Sequence, residues 1–378
     1  MTKGNSQDVS RRRFLKGAGL AAGAAAGTLA APAVVTAQSP IVIKMQSAWP
    51  ASDIFHEMAG QYVQRVEAMS GGRLKVDLSP AGAIVGAFQV MDAVNDGVLD
   101  AAHTVPVYWY GKHKAASFFG TGPVWGGSAA TMLGWFYTGG GKELYKELTQ
   151  DILGLNVVAF FAFPMPAQPF GWFKNPVTKA DDVKGLKYRT VGLAADLMQQ
   201  MGMSVAQLPG GEIVPAMERG VIDAFEFNNP TSDSRFGAQD VAKNYMLSSY
   251  HQASEAFEII FNRDFFEDLD PDLQAILQYG VEAASTANHA HALDQYSADL
   301  VKLQTESGVA VLRTPAEVLD AELVAWDTLI ADLEKDPINK KIMDSQKAYT
   351  DRVVFYEIMN SPDYTLAYEH YFPGRLKL

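Results

Sequence analysis

The chain has 378 residues, enough for two domains with real cores, and no cysteine, which excludes disulfides, thiolate zinc sites and a cysteine nucleophile. Its formal net charge is −12. Residues 1–37 hold five basic side chains and one acidic one, so the remaining chain has 26 bases and 42 acids, a net charge of −16. This excess of acid argues against nucleic acid and anionic membranes as partners.

The first 37 residues predict a twin-arginine signal peptide. Residues 10–16 read Ser-Arg-Arg-Arg-Phe-Leu-Lys, a Gly/Ala-rich stretch follows, and residues 35–37 give a small-x-small cleavage site before Gln38. A membrane anchor is the alternative, but the Ala and Gly content makes the segment poor at spanning a bilayer. We therefore expect export, cleavage and a periplasmic protein.

The exported part begins with a strand–helix–strand pattern. Residues 41–45 predict a buried strand, and the apolar stripe from Ile54 to Val66 predicts a helix entered at Ser52 and Asp53. Alternating apolar residues at 74–78 predict a second strand.

One segment occurs twice. Residues 89–101 read QVMDAVNDGVLDA and residues 212–224 read EIVPAMERGVIDA, with five of 13 positions identical and five more similar. Each copy has a helical stripe followed by a glycine, Gly97 or Gly220, at a left-handed helix C-cap. A repeat 123 residues apart is no solenoid period and indicates two similar lobes with a cleft. A chance match of two ordinary units is the alternative.

The ends of the repeat direct attention to the cleft. A short strand is expected to open directly after each glycine, at Val98 and Val221. Ligands of α/β sheets bind beyond the carboxyl ends of strands, so residues 103–110 and 226–229 are candidate site segments. Asp100 and Asp223, though a tempting carboxylate pair, belong to the shared unit and are expected to be structural.

The rest of the chain continues the alternation. We predict helices at 129–148 and 193–203, strands at 157–163, 171–174, 186–190 and 256–262, and C-terminal helices at 272–304, 317–335 and 338–359. This pattern predicts an α/β, two-lobed periplasmic binding protein fold with a central cleft, several interlobe crossings and a long helical C-terminal part. The expected lobes are 38–163 plus about 250–290, and 164–249 plus about 291–378.

Catalytic signatures are absent from the sequence. It has no His-Glu-x-x-His helix, no Gly-x-Ser-x-Gly elbow, no phosphate loop and no dinucleotide fingerprint, so we expect no enzyme. Arg189 is different, because its strand should end at the cleft, where a guanidinium can hold a carboxylate with two hydrogen bonds. The alternative is an ordinary surface arginine.

Several stretches resemble the solute-binding subunits of tripartite ATP-independent periplasmic (TRAP) transporters. They are Gly-Leu-Lys-Tyr-Arg-Thr at 185–190, Gly-x-x-Asp-Ala-x-Glu at 220–226, Pro-Ala-Gly at 80–82 and Gln-Pro-Phe-Gly-Trp-Phe at 168–173. The resemblance covers nearly the whole exported chain. It is nearest to the branch that binds 2-oxo acids or related monocarboxylates, such as pyruvate or lactate, with a metal ion.

The resemblance implies ligand-binding residues. Arg189 matches the arginine that pairs with the ligand carboxylate, and Gln168 matches the glutamine that meets both ligand and cation. Tyr108 lies near tyrosines that contact ligand in the family. Phe227 stands where related chains often have tryptophan, which changes the side chain and keeps the backbone carbonyl.

The resemblance also implies a metal site formed by Gln168, Glu226, the carbonyl of Phe227, and Gln252. Gln252 departs from a relative's glutamate, which leaves the identity of the cation open. Oxygen ligands suit sodium or calcium. Glu226, a ligand carboxylate and Arg189 together carry one negative charge, which slightly favours sodium.

Taken together, the sequence predicts a TRAP solute-binding protein that captures a small 2-oxo or 2-hydroxy monocarboxylate with a cation and delivers it to the membrane permease. The alternatives are an exported, cofactor-loaded enzyme and a sensor-type binding protein. Apolar residues in 338–359 leave two options for the last helix, a helix-swapped homodimer or packing on its own lobe.

Overall fold

The computed structural model describes residues 39–376, apart from the side chains of Val124, Phe163 and Pro164. The predicted signal peptide lies outside the described residues. The strands are β1 Ile41–Ser47, β2 Leu74–Ser79, β3 Ala101–Thr104, β4 Val157–Met165, β5 Gly171–Phe173, β6 Lys187–Arg189, β7 Ser204–Ala206, β8 Ala224–Phe225, β9 Asn244–Leu247, β10 Glu255–Asn262 and β11 Ala310–Arg313.

The helices account for most of the remaining chain. They are α1 Ile54–Met69, α2 Val90–Asn95, α3 Ala129–Thr138, α4 Gly141–Lys146, α5 Leu193–Gln200, α6 Ile213–Glu218, α7 Pro230–Arg235, α8 Ala238–Val241, α9 Arg263–Glu267, α10 Pro271–Thr305, α11 Ala316–Leu333, α12 Pro337–Asn360 and α13 Tyr364–Tyr371. A π-helical turn follows α4 at Glu147–Ile152, and short 3-10 segments lie at Ala87–Gln89, Pro106–Trp109, Lys114–Phe119, Val124–Gly126, Ala180–Val183 and Gly210–Glu212. Over the described residues, no helix combines the length and apolarity needed to cross a membrane.

The strands form two sheets with the same plan. The first sheet has the order β2-β1-β3-β10-β4, and the second has β7-β6-β8-β5-β9 with β11 added at its edge. In the first sheet β1 is parallel to β2 and β3, while β10 is antiparallel to β3 and β4. In the second, β6 is parallel to β7 and β8, while β5 is antiparallel to β8 and β9. The α/β two-lobed fold is therefore confirmed.

Of this common plan, the repeated segment is the part that is still visible in the sequence. Gly97 and Gly220 have φ of +71° and +69°, so both copies use the left-handed glycine that was predicted. In each lobe, the backbone N–H of a lysine outside the repeated segment donates to the aspartate of that segment. The Lys44 N–H donates to Asp100 Oδ2 at 2.7 Å, and the Lys187 N–H donates to Asp223 Oδ2 at 3.3 Å. The two aspartates therefore hold equivalent strand pairs together.

The strands after the repeat begin later than predicted. β3 starts at Ala101 and β8 at Ala224, not at Val98 and Val221. The N–H groups of Val98 and Val221 still donate to the helix carbonyls of Ala93 and Ala216, each at 2.9 Å, so they are not available to a sheet. The valine side chains point to solvent, and the sheet begins three residues on.

The helix predicted at 129–148 is wrong as a single element. It is divided into α3 and α4 at Gly139 and Gly140, and Gly140 has a φ of +89°, which a right-handed helix does not accommodate. Strands β7, β9 and β11 were not predicted, because three- and four-residue strands carry too little periodicity to be recognised. Helix α13 was not predicted either.

Three segments connect the sheets. The β4–β5 and β9–β10 connections cross between them, and α10, 35 residues long, packs on α1 and β4 of the first sheet and on α7 beside the second. Helix α12 packs against α3 and α4, which flank the first sheet. The boundaries of the two lobes stay a prediction.

The two sheets meet on both sides of the cleft. On one side, Ser232 Oγ of α7 donates to Asp53 Oδ1 at the start of α1 at 3.0 Å, and Arg235 pairs with Glu57 at 2.8 Å. On the other, Lys114 pairs with Asp196 of α5 at 2.8 Å. The residues between these contacts are shielded from water, which gives the closed arrangement in which the site is described below.

We predict that Asp100→Ala and Asp223→Ala each lower the free energy of unfolding by about 1 kcal/mol, because each removes the acceptor of one backbone N–H. Neither should change ligand affinity, since both lie in the shared scaffold. Urea denaturation and calorimetric ligand titration measure the two quantities. Asp77→Ala, on the exposed face of β2, is the matched control and should cost less than about 0.5 kcal/mol. Loss of ligand binding in either variant would contradict a structural role.

Candidate functional site

The site lies where two of the three connections between the sheets, β4–β5 and β9–β10, contact each other. Gln168 is in the β4–β5 connection and Gln252 is in the β9–β10 connection, and the Gln168 N–H donates to the Gln252 carbonyl at 2.9 Å. Both side chains are buried. The two glutamines that the resemblance singled out are thus neighbours at the hinge, although 84 residues separate them in the chain.

Arg189 ends β6 and forms the charged centre of the site. Its Nη1 donates to Glu226 Oε1 and to the Glu226 carbonyl, each at 2.9 Å, and its Nε donates to the Leu208 carbonyl at 2.8 Å. Arg189 is 1% exposed and Glu226 is fully buried. Within residues 39–376, Nη2 donates no hydrogen bond and remains available for a ligand carboxylate.

Glu255, the first residue of β10, is a site residue that sequence reasoning missed. Its Oε2 accepts from Gln168 Nε2 at 2.5 Å and from Gln252 Nε2 at 3.3 Å, so both glutamines converge on it. The sequence does contain a signal, because an acidic residue lies three positions after Gln252, at the start of a strand that is apolar apart from Glu258 and Asn262. Because Gln252 stands where a relative has glutamate, a carboxylate from a nearby residue was to be expected.

Burial changes the acid chemistry of the two carboxyls. Removal from water raises the pKa of Glu226 to about 7, although the neighbouring Arg189 charge lowers it. Burial also raises the pKa of Glu255 to about 8, with the Glu226 charge raising it further and Arg189 lowering it. Ionising both carboxyls is therefore unfavourable, even though Arg189 lies nearby.

Buried oxygens without donors indicate what the site lacks. Gln168 Oε1, Gln252 Oε1 and Glu226 Oε2 are buried and have no hydrogen-bond partner. Such oxygens are rare in folded proteins, and a hard cation such as sodium or calcium satisfies several at once. The oxygens available to a cation here are of amide and carboxylate type. No three His, Cys, Asp or Glu side chains gather as a metal site in the described part of the chain.

Phe227 and Tyr108 complete the predicted set. The Phe227 ring lies 5.5 Å from Arg189 Cζ, in a cation–π contact that restricts the guanidinium. Tyr108, half-buried, packs on Trp49 and Phe88 with ring centroids at 5.8 and 4.7 Å. Arg189, Glu226 and Glu255 all act electrostatically on its hydroxyl, whose pKa is raised, mainly by burial. The structure thus brings all six predicted residues to one region, and their ligand roles stay proposals.

Helix α11 positions the loop that carries Gln252. Glu322 of α11 accepts from Ser249 Oγ at 2.5 Å and from the Tyr250 N–H at 2.6 Å, and Trp326 Nε1 donates to the Tyr250 carbonyl at 2.9 Å. Ser248 has a φ of +75°, a conformation that this anchoring maintains. A helix far along the chain therefore fixes one wall of the site.

Comparison with known proteins gives a consistent assignment. A family model described as bacterial extracellular solute-binding protein, family 7 (DctP) matches residues 45–336. A monocarboxylate 2-oxoacid-binding periplasmic protein of Nostoc sp. is 30% identical over 333 residues, covering 87% of this chain and 88% of that protein.

Two solved structures extend the comparison. A TRAP transporter solute-binding protein of Bordetella bronchiseptica, a mixed-occupancy dimer with copurified calcium and picolinate in its occupied site, is 27% identical, with a TM-score of 0.81 over 89% of this chain and 98% of that one. A TRAP periplasmic solute-binding protein of Pseudoalteromonas atlantica with bound sodium and pyruvate is 29% identical, with a TM-score of 0.80 over 88% and 99%. The resemblance found in the sequence is confirmed, and the chain belongs to the DctP family of TRAP transporter solute-binding proteins.

Proposed function

We propose that this TRAP solute-binding protein captures a small 2-oxo or 2-hydroxy monocarboxylate together with a cation and delivers it to the membrane permease. The observation that supports this most directly is the buried guanidinium of Arg189 together with three buried oxygens, on Gln168, Glu226 and Gln252, that have no hydrogen-bond partner. The guanidinium offers a site for a carboxylate and the oxygens offer a site for a cation. A 2-oxo acid presents a carboxylate and an adjacent oxygen that can meet both.

Different residues would bind the ligand carboxylate and the cation. Arg189 Nη2 would hold one oxygen of the ligand carboxylate, while Nε and Nη1 are held by Leu208 and Glu226. Gln168, Glu226, Gln252 and the Phe227 carbonyl would bind the cation, sodium or calcium, which supplies positive charge to the ligand oxygens when bound. Closure of the lobes excludes water and strengthens each of these contacts.

The alternative functions, an enzyme and a sensor-type binding protein, differ from a transport receptor in the cofactor or the protein partner that each requires. The family and the neighbouring structures are solute receptors, and we propose that this chain is likewise a receptor without catalytic activity, located in the periplasm. An absorbance spectrum and metal analysis of the purified protein would reveal a flavin, haem or molybdenum cofactor if it were an enzyme. Pull-down with TRAP membrane subunits separates a transport receptor from a sensor-type binding protein.

We predict that Arg189→Ala weakens pyruvate-type ligand binding by at least about 100-fold, because it removes the partner of the ligand carboxylate and leaves Glu226 buried without its ion pair. Isothermal calorimetry on a panel of two- to six-carbon 2-oxo and 2-hydroxy acids measures this. Arg219→Ala, an exposed arginine of the same lobe, is the control and should bind as wild type does. Wild-type affinity of Arg189→Ala for every acid bound would show that the site assignment is wrong.

We also propose a homodimer formed through the C-terminal helices. The first half of α12 is buried against its own chain, at residues such as Ile342 and Met343, whereas its second half and α13 are exposed. The exposed apolar residues are Phe355, Tyr356, Ile358, Met359, Tyr364, Leu366, Tyr371 and Phe372. A patch of this size on a soluble protein marks an interaction surface, and the Bordetella relative is a dimer.

Sedimentation of the wild-type protein should give a dimer, and the double variant Phe355→Ser/Ile358→Ser should give a monomer, because both changes remove apolar area from the contact. Val324→Ser, at an exposed valine of α11, is the control and should leave the dimer intact. A wild-type monomer at micromolar concentration would contradict the proposal.

A further inference from the structure

Glu255 brings a second buried carboxylate to the cation site. It is 3% exposed, and its Oε2 lies 2.5 Å from Gln168 Nε2 and 3.3 Å from Gln252 Nε2. The oxygens of these same two amides are the predicted cation ligands, so a cation bound by them would lie near Glu255. Gln168 Oε1, Gln252 Oε1 and Glu226 Oε2 have no hydrogen-bond partner, and a cation would give each of them one.

The Arg189 charge lowers the pKa of Glu255, but Arg189 forms its ion pair with Glu226. Among the ion pairs of residues 39–376, Arg189 pairs with Glu226, and none includes Glu255. Glu258, three residues along the same strand, makes a useful contrast. Its two oxygens accept from Trp109 Nε1 at 2.6 Å and from Tyr145 OH at 2.7 Å, which satisfies a buried carboxyl within the protein. The donors recorded for Glu255 in the described part of the chain are the two amides that are themselves predicted cation ligands.

The charge of the loaded site changes when Glu255 is counted. The tally that favoured sodium included Glu226, the ligand carboxylate and Arg189. A bound cation favours the ionised form of a neighbouring carboxyl. With Glu255 ionised in this way, the site carries two negative charges in excess, so a monovalent ion leaves one uncompensated and a divalent ion leaves none. An uncompensated charge is costly in a buried site, because the effective dielectric constant there is low.

We propose that Glu255 is a ligand of the cation and that its charge makes the site select calcium over sodium. This rests on the proposed function, since it concerns the cation that accompanies the monocarboxylate. Glu255 would supply a carboxylate oxygen to the ion, and Gln252, three residues earlier, an amide oxygen. More carboxylates around an oxygen site raise its preference for calcium.

The test is a calorimetric titration of the chelator-treated protein with calcium chloride and, separately, with sodium chloride in a choline background, each followed by pyruvate. We expect the wild-type protein to bind calcium at least about 100-fold more tightly than sodium. Glu255→Gln should lower calcium affinity by at least about 30-fold and reduce the calcium-to-sodium ratio, whereas Glu255→Asp, which keeps the charge, should retain the calcium preference. Glu258→Gln should bind calcium within about twofold of wild type, because its carboxyl is satisfied by Trp109 and Tyr145.

The outcomes separate this inference from the proposed function. If the wild-type protein binds sodium as tightly as calcium, or if folded Glu255→Gln keeps wild-type calcium affinity, the inference is wrong while pyruvate binding still supports the function. If no acid of the panel binds in either salt, the proposed function itself is wrong. Should Glu255→Gln fail to fold in a circular dichroism melt, the wild-type calcium-to-sodium ratio decides the matter alone.

Discussion

The buried ion pair between Arg189 and Glu226 is the interaction on which the site depends. Moving both charges out of water costs several kcal/mol per ion, and a single hydrogen bond would not offset this. The pair is supported by backbone carbonyls as well, because Arg189 also donates to the carbonyls of Leu208 and Glu226. Those carbonyls lie after β7 and β8, so one guanidinium ties together the ends of three neighbouring strands. The chain is thereby fixed where the ligand must bind.

The position of the site at the crossings couples binding to movement. Gln168 and Gln252 lie in the two connections that pass between the sheets, and a backbone hydrogen bond joins them. These are the segments whose backbone must change when the lobes open. A ligand and cation that hold both glutamines favour the closed arrangement, in which contacts such as Ser232 to Asp53 also form. Ligand capture and lobe closure therefore share the same residues.

The two lobes show how one scaffold acquires chemistry in one copy only. In the first sheet Gln46 donates to the Val85 carbonyl, and in the second Arg189 donates to the Leu208 carbonyl, at the corresponding place after the outer strand. Gln46 and Arg189 also pair with equivalent neighbours, Ala102 and Phe225. An amide satisfies the loop without adding charge, whereas the guanidinium satisfies it and leaves a cationic group facing the cleft.

The sequence by itself determined the local units: the capped helices, the left-handed glycines at 97 and 220, the strand that contains Arg189, and the α/β class. These depend on hydrogen bonds and apolar spacing between near neighbours, which the chain order records. Only the tertiary structure decided which polar groups meet. Gln168 and Glu255 are 87 residues apart, and they touch because β10 lies between β3 and β4 in the first sheet. Sheet order is set by packing of the whole lobe, so the sequence shows an acidic residue near Gln252 but not that its carboxylate reaches Gln168.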